Sequence, residues 1–161
     1  MKSRIQVIVT KSAITNITRY GEERMNADNN KARSGKFIQA LLVDDDKFML
    51  EFVGDLLREL GVMDVTTAMD GAQGIAAFDR ADPKPGLILC DLHMPGQDGF
   101  QFMAALATRG YRGGIVLISG QDARTLKSAT LMAQFHELNI LATLEKPVDK
   151  MSLANAMTKL G

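Results

Sequence analysis

The sequence predicts an α/β fold: a doubly wound parallel sheet of five strands with helices on both faces. Three observations carry that prediction. From Phe37 onward, strand-like and helix-like segments alternate, which is the pattern of βαβ units. Three of the strand segments, Leu41-Leu42-Val43, Leu87-Ile88-Leu89-Cys90 and Ile115-Val116-Leu117-Ile118, are continuous apolar runs, as expected where helices cover both faces of a sheet. Each run also ends in a chemically active side chain. The first leads into Asp44-Asp45-Asp46, the second into Asp91, the third into Ser119, and a further stretch, Ile140 to Leu144, leads into Glu145-Lys146-Pro147. Ligands of open α/β sheets bind outside the carboxyl ends of the strands.

The elements follow in order. The first strand is Ile38–Val43. The first helix covers Lys47–Leu60, with Met49, Phe52, Val53, Leu56, Leu57 and Leu60 at helical spacing. Asp46 suits its N-cap, and Gly61 its C-terminal stop. The second strand is Val65–Ala68. The second helix, Gly71–Asp79, is closed by Asp82-Pro83-Lys84-Pro85-Gly86. Leu87–Cys90 forms the third strand. Pro95-Gly96 and Asp98-Gly99 read as turn residues, with Asp98 also capping a third helix from Phe100 to Thr108, which Gly110 ends. The fourth strand is Ile115–Ile118, the fourth helix Ala123–Leu138, the fifth strand Ile140–Leu144 and the fifth helix Asp149–Leu160. The methionines from Met49 to Met157 fall mostly among apolar neighbours and read as core fillers. His136 reads as an exposed helical residue.

Composition bounds the function. A chain of 161 residues with 46% hydrophobic content supports one domain with a real core plus an appendage. The appendage is residues 1–36, where Met25 to Gly35 has almost nothing to bury and reads as a flexible linker. Ile5–Val9 is a β-like run that could pair with a sheet edge. The single cysteine, Cys90, lies within an apolar strand and reads as a core residue; a disulfide framework is excluded and a reducing compartment fits. No apolar run approaches the ~20 residues of a membrane span, and Ile5–Val9 is too short for a signal-peptide core. The expected location is cytoplasmic. Residues 1–36 hold eight Lys/Arg against three Asp/Glu, and the remainder eleven against sixteen. An acidic folded part argues against nucleic acid as a direct partner.

The strand ends suggest the chemistry. The order 2-1-3-4-5 sets strands one and three side by side at the switch point of the sheet. Asp44, Asp45 and Asp91 then share one crevice, where three carboxylates repel one another. A hard divalent cation relieves that repulsion, and oxygen ligands from carboxylates, a carbonyl and water suit Mg2+. Two scattered histidines and one cysteine do not make a zinc site. A carboxylate in such a crevice can accept a phosphoryl group. The charge on the transferring group needs a metal, a cation and a hydrogen-bond donor. Lys146 offers the cation and Ser119 the donor.

Taken together, Leu42-Val43-Asp44-Asp45-Asp46, Asp91 through Gly99, Leu117-Ile118-Ser119-Gly120 and Glu145-Lys146-Pro147 resemble the receiver (CheY-like) domains of two-component response regulators, over Phe37–Gly161. The resemblance implies a flavodoxin-like fold and a phosphoacceptor switch rather than an enzyme in its own right. It implies Asp91 as phosphoacceptor, Mg2+ held by Asp45, Asp91 and the backbone carbonyl of His93, and Asp44 assisting through water. Ser119 takes the switch hydroxyl position, Lys146 that of the phosphate-binding lysine, and the Lys146–Pro147 bond is cis. His93 and Gln121 take the positions that modulate water's access to the phosphoryl group. The implied phosphodonor is a sensor histidine kinase or phosphotransfer protein. The implied output surface is the face of helix four, strand five and helix five, acting on an output domain or partner protein. Thr143 stands where receivers often carry an aromatic residue, so output is expected to run through helix four. The stretch Arg109 to Asp122 is similar to receivers fused to EAL-type cyclic-di-GMP phosphodiesterases. The pattern ends within or just after helix five, as in a stand-alone regulator or a piece of a longer protein. Two rivals are weighed. An aspartyl-nucleophile phosphatase needs an acid where this chain has His93. A phosphorylation-independent pseudo-receiver, acting as an interaction module, would keep the fold alone.

Overall fold

The computed structural model describes residues 38–94, 99–120 and 123–161; the expected linker, Pro95 to Asp98 and Gln121 lie outside the described residues. Five parallel strands form one sheet in the order β2-β1-β3-β4-β5: β1 Gln39–Val43, β2 Asp64–Ala68, β3 Leu87–Asp91, β4 Gly114–Ser119 and β5 Asn139–Glu145. The helices are α1 Lys47–Glu59, α2 Gly71–Arg80, α3 Gly99–Thr108, α4 Ala123–Phe135 and α5 Lys150–Met157. Both the architecture and the strand order are those the sequence predicts.

Alternation along each strand divides the core into two layers. Leu41, Val43, Ile88, Cys90, Ile115 and Leu117 pack against Phe78 of α2, Phe102, Met103 and Leu106 of α3, and Ala129 and Ala133 of α4. Ala40, Leu42, Leu87, Leu89, Val116 and Ile118 pack against Leu50, Val53 and Leu57 of α1 and Leu153 and Ala156 of α5. β3 and β4 are buried along their whole length, so they read as unbroken apolar runs. Edge strand β2 is mostly exposed. Asp46, Asp70 and Asp149 cap α1, α2 and α5, each side chain accepting a backbone N–H of the first turn. Gly61, at φ 93°, takes the left-handed conformation just past α1.

Some expectations are corrected. α4 ends at Phe135 rather than Leu138, because Glu137 turns into the left-handed region (φ 55°) and Leu138 folds back into the core. α5 ends at Met157, three residues early. His136 is half-buried in the turn after α4. Met94 and Met103 are core residues, but Met63 and Met151 are each 74% exposed and Met69 is 41% exposed. The first and third sit in loops and Met151 on the outward face of α5, where periodicity does not aim a side chain at the core. Lys146–Pro147 is cis, as expected, and so is Asp82–Pro83. Among the described residues no helix is long and apolar enough to cross a membrane.

Candidate functional site

The parallel registers bring the ends of β1, β3, β4 and β5 to one edge of the sheet. Val43 is level with Cys90, and Asp91 with Ile118. Asp44 follows β1, Asp91 closes β3, Ser119 closes β4 and Lys146 follows β5. Asp44 is 1% exposed and Asp91 2%, while Asp45 faces solvent. Oxygens of Asp44, Asp45 and Asp91 all lie within 4.8 Å of one another. Lys146 Nζ donates to Asp91 Oδ2 at 3.0 Å and lies 3.3 Å from Asp44 Oδ2. One ammonium thus faces two buried carboxylates.

Backbone contacts fix the carboxylates. Asp44 Oδ1 accepts the Asp46 N–H at 2.8 Å, and the Asp44 N–H donates to Ala68 O of β2. Asp91 Oδ1 accepts the His93 N–H at 3.0 Å. The Leu92 N–H donates to Ile118 O, and the Lys146 N–H to Ser119 O, tying the loops of β3 and β5 to β4. Ser119 is fully buried, and its Oγ donates to Gly120 O at 2.6 Å. A serine hydroxyl has one proton, so in this state it is committed beside the carboxylates rather than to them. His93 is exposed at the rim.

The donor set fits a hard divalent cation. Asp44 Oδ2 is buried and accepts no hydrogen bond; its contact with Lys146 lacks hydrogen-bond geometry. Such an oxygen is costly without a partner, and a cation bound by Asp44, Asp45 and Asp91 would supply one. Burial raises Asp44 above the usual carboxylate range, and the Asp91 charge adds to this, against the lowering effects of the Asp46 N–H and Lys146. Burial lowers Lys146, but the hydrogen bond and charge of Asp91, with Asp44 behind them, leave it above its ordinary value. Lys146 is therefore an ammonium throughout the neutral range.

The sign of the Asp44 shift makes a prediction. A carboxyl raised in the folded state contributes stability below its unfolded value, 3.8, and that contribution is lost as pH rises through the folded value. At neutral pH the ionised group opposes folding. Asp44→Asn should therefore raise the stability of the metal-free protein at pH 7. Thermal melts in chelator across a pH series should show that gain shrinking toward acid pH. An unchanged or lower melting temperature at pH 7 would contradict it.

One functional residue went unread in the sequence. Gly99 looks like turn chemistry, but a Cβ there would come 2.7 Å from Asp91 O and 2.8 Å from Leu92 Cα. The α3 N-terminus presses on the backbone of the acceptor loop. Gly99→Ala should cost about 1–3 kcal/mol, as overpacking does, and should shift the Asp91 and Leu92 amide signals. Unmoved amides would show that the loop yields freely. Only the Asp-Gly pair hinted at the site, because the clash is with backbone eight residues away.

Comparison with known proteins agrees with this geometry. The response regulator receiver domain family matches residues 40–158. The probable chemotaxis protein CheY of Rhizobium etli is 31% identical over 114 residues, covering 68% of this chain and 85% of the relative. A protein-glutamate methylesterase/protein-glutamine glutaminase of Halobacterium salinarum is 33% identical over 109 residues, covering 68% of this chain but only 30% of the relative. A similar methylesterase of Natronomonas pharaonis is spanned over 19% of its length. Among solved structures, a receiver domain protein of Clostridium thermocellum superposes with TM-score 0.67 at 21% identity, over 76% of this chain and 93% of that one. The CheX–CheY–BeF3–Mg2+ complex of Borrelia burgdorferi gives TM-score 0.67 at 18% identity, over 76% of this chain and 88% of that one. At these identities the superpositions speak for the fold alone. With the family match spanning the whole sheet and all four strand-end loops, the chain belongs to the response regulator receiver domains.

Proposed function

We propose that Asp91 accepts a phosphoryl group and that the domain switches on doing so. The convergence of Lys146 on the buried carboxylates of Asp91 and Asp44 is the observation that carries this reading. In the step, a carboxylate oxygen of Asp91 forms a bond to phosphorus. The bond to the donor's leaving group breaks, and that group leaves with the electron pair and takes up a proton. The donor is a histidine kinase or phosphotransfer protein. Lys146 neutralises charge on the phosphoryl oxygens. Mg2+, held by Asp45, Asp91 and the His93 carbonyl with Asp44 close by, would supply charge neutralisation for the same oxygens.

Conversion of Asp91 to an acyl phosphate adds acceptor oxygens beside Ser119. The hydroxyl then gives up Gly120 O for the phosphoryl group, and β4 and the start of α4 follow. That is a population shift between two packings, biased by new charge-assisted hydrogen bonds. The face of α4, β5 and α5 changes with it. Thr143, half-buried on β5, offers no ring to swing, so α4 carries the change to an output domain or partner. The likeness of Arg109–Asp122 to receivers fused to EAL-type phosphodiesterases supports an output of that kind. His93 at the rim meters water reaching the acyl phosphate; its companion in that expectation, Gln121, lies outside the described residues. Residues 1–36 serve as a linker ahead of the receiver domain at 37–161, and the protein works in the cytoplasm.

Beryllofluoride with Mg2+ tests the switch. Amide signals of Ser119, Gly120 and α4 should move on saturation. A spectrum that stays unchanged would favour the phosphorylation-independent pseudo-receiver.

A further inference from the structure

The sheet ends in β2 on one side and β5 on the other, and the two edges are built differently. β5 is guarded. Its register with β4 passes from Ile115–Ile140 to Val116–Ala142, which leaves Leu141 as a bulge. Lys159 Nζ donates to Leu141 O at 2.9 Å. Bulges and lysines keep a sheet edge from accepting another strand. β2 has neither device. It pairs with β1 in unbroken register from Asp64 to Ala68. Its residues include no lysine, proline or glycine, and Thr66 and Thr67 are exposed.

The ladder fixes which backbone groups of β2 look outward. Ala68 O accepts the Asp44 N–H, so Ala68 turns its polar groups toward the β1 side. The N–H and C=O of one strand residue point to the same side, and the sides alternate along the strand. Thr66 therefore faces β1 as well, while Val65 and Thr67 present their groups to the free edge. A second β2, laid antiparallel and centred on Thr66, meets that edge in phase. Val65 of each copy lies opposite Thr67 of the other, and each such pair exchanges both N–H···O bonds. Thr66 meets its own counterpart in the non-hydrogen-bonded position, where side chains approach most closely and threonine pairs are favourable. Asp64 falls opposite Ala68, so no like charges oppose each other.

The same count continues past the ends of the strand. Met63 falls opposite Met69 of the second copy, and both are exposed large apolar side chains. The exposed apolar residues at the two ends of β2 are thus equidistant from Thr66. Only a partner with the same sequence, run in reverse, matches them to each other.

We propose that the β2 edge is a self-association surface, joining two copies of this chain about a two-fold axis at Thr66 into one continuous sheet. The contact is isologous, as a two-fold contact must be. It uses no group of the acidic site and needs no phosphorylation.

The test is the mass of the full chain by sedimentation equilibrium, over concentrations up to about 1 mM, without phosphodonor. The unmodified chain should rise toward twice the monomer mass. Thr66→Lys and Thr66→Glu, each alone, should weaken association about tenfold or more, because like charges then face each other across the axis. An equal mixture of the two variants should associate again, since Thr66 is the residue opposed by itself. That recovery also shows that both variants are folded. Asp91→Asn should associate as the unmodified chain does, which separates this surface from the phosphoacceptor reading. A monomer mass at every concentration overturns the proposal, and so does a dimer that both substitutions leave intact. Association lost in each variant and not recovered in the mixture overturns the axis at Thr66.

Discussion

Asp91→Asn should show no phosphoryl mass gain from a small phosphodonor with Mg2+, where the unmodified chain gains one group. The effect is all-or-none because an amide cannot form the acyl phosphate. The two buried neighbours are not placed to take over. Asp44 is buried beneath Lys146 with one oxygen held by the Asp46 N–H, and the Ser119 hydroxyl is turned to Gly120 O. Asparagine keeps the shape and can still accept the His93 N–H, so the loop should survive the change. The linkage is chemically distinct as well. An acyl phosphate is cleaved by hydroxylamine, whereas a phosphoester on Ser119 is not. Ser119→Ala should keep the mass gain and lose the amide response of α4. A hydroxylamine-resistant gain that persists in Asp91→Asn and vanishes in Ser119→Ala would move the acceptor to Ser119 and end the present reading.

What was legible in the sequence follows from how many neighbours an element depends on. β3 and β4 are buried on both faces, so Leu87–Cys90 and Ile115–Ile118 announce themselves as unbroken apolar runs. The cap at Asp46 and the stop at Gly61 depend on one turn of chain and were readable for the same reason. The end of α4 was not. Leu138 continues the apolar period after the helix has ended, and only the turn at Glu137 shows that it reaches the core by another path. Within Asp44-Asp45-Asp46 the residue types are identical. Loop geometry alone buries Asp44 against Lys146 and leaves Asp45 at the mouth. The partner of the Ser119 hydroxyl and the pressure of Gly99 on Asp91 are likewise matters of placement. They become visible only when β3, β4 and α3 are set against one another.

Phe102→Ala should be the most destabilising single truncation in the layer between the sheet and α2–α4, at about 3–5 kcal/mol. Phe102 is fully buried, and its ring fills the space Gly74 leaves on α2. A Cβ at Gly74 would come 2.9 Å from Phe102 Cε2 and 3.0 Å from Val43 Cγ2. Val43 is the last residue of β1, directly before Asp44, so this three-way contact carries the acidic loop. A domain has about 5–15 kcal/mol of total stability, and the loss should appear as a large fall in the denaturant midpoint. The same contact predicts coupling. Gly74→Ala should destabilise the unmodified chain, because neither the ring nor a core valine can retreat far. In the Phe102→Ala background the added methyl enters the vacated space, and its cost should shrink or reverse, giving an interaction of about 1 kcal/mol or more. Additive losses in that double-mutant cycle would mean that α2 and α3 adjust independently, and that the ring does not brace the loop bearing Asp44.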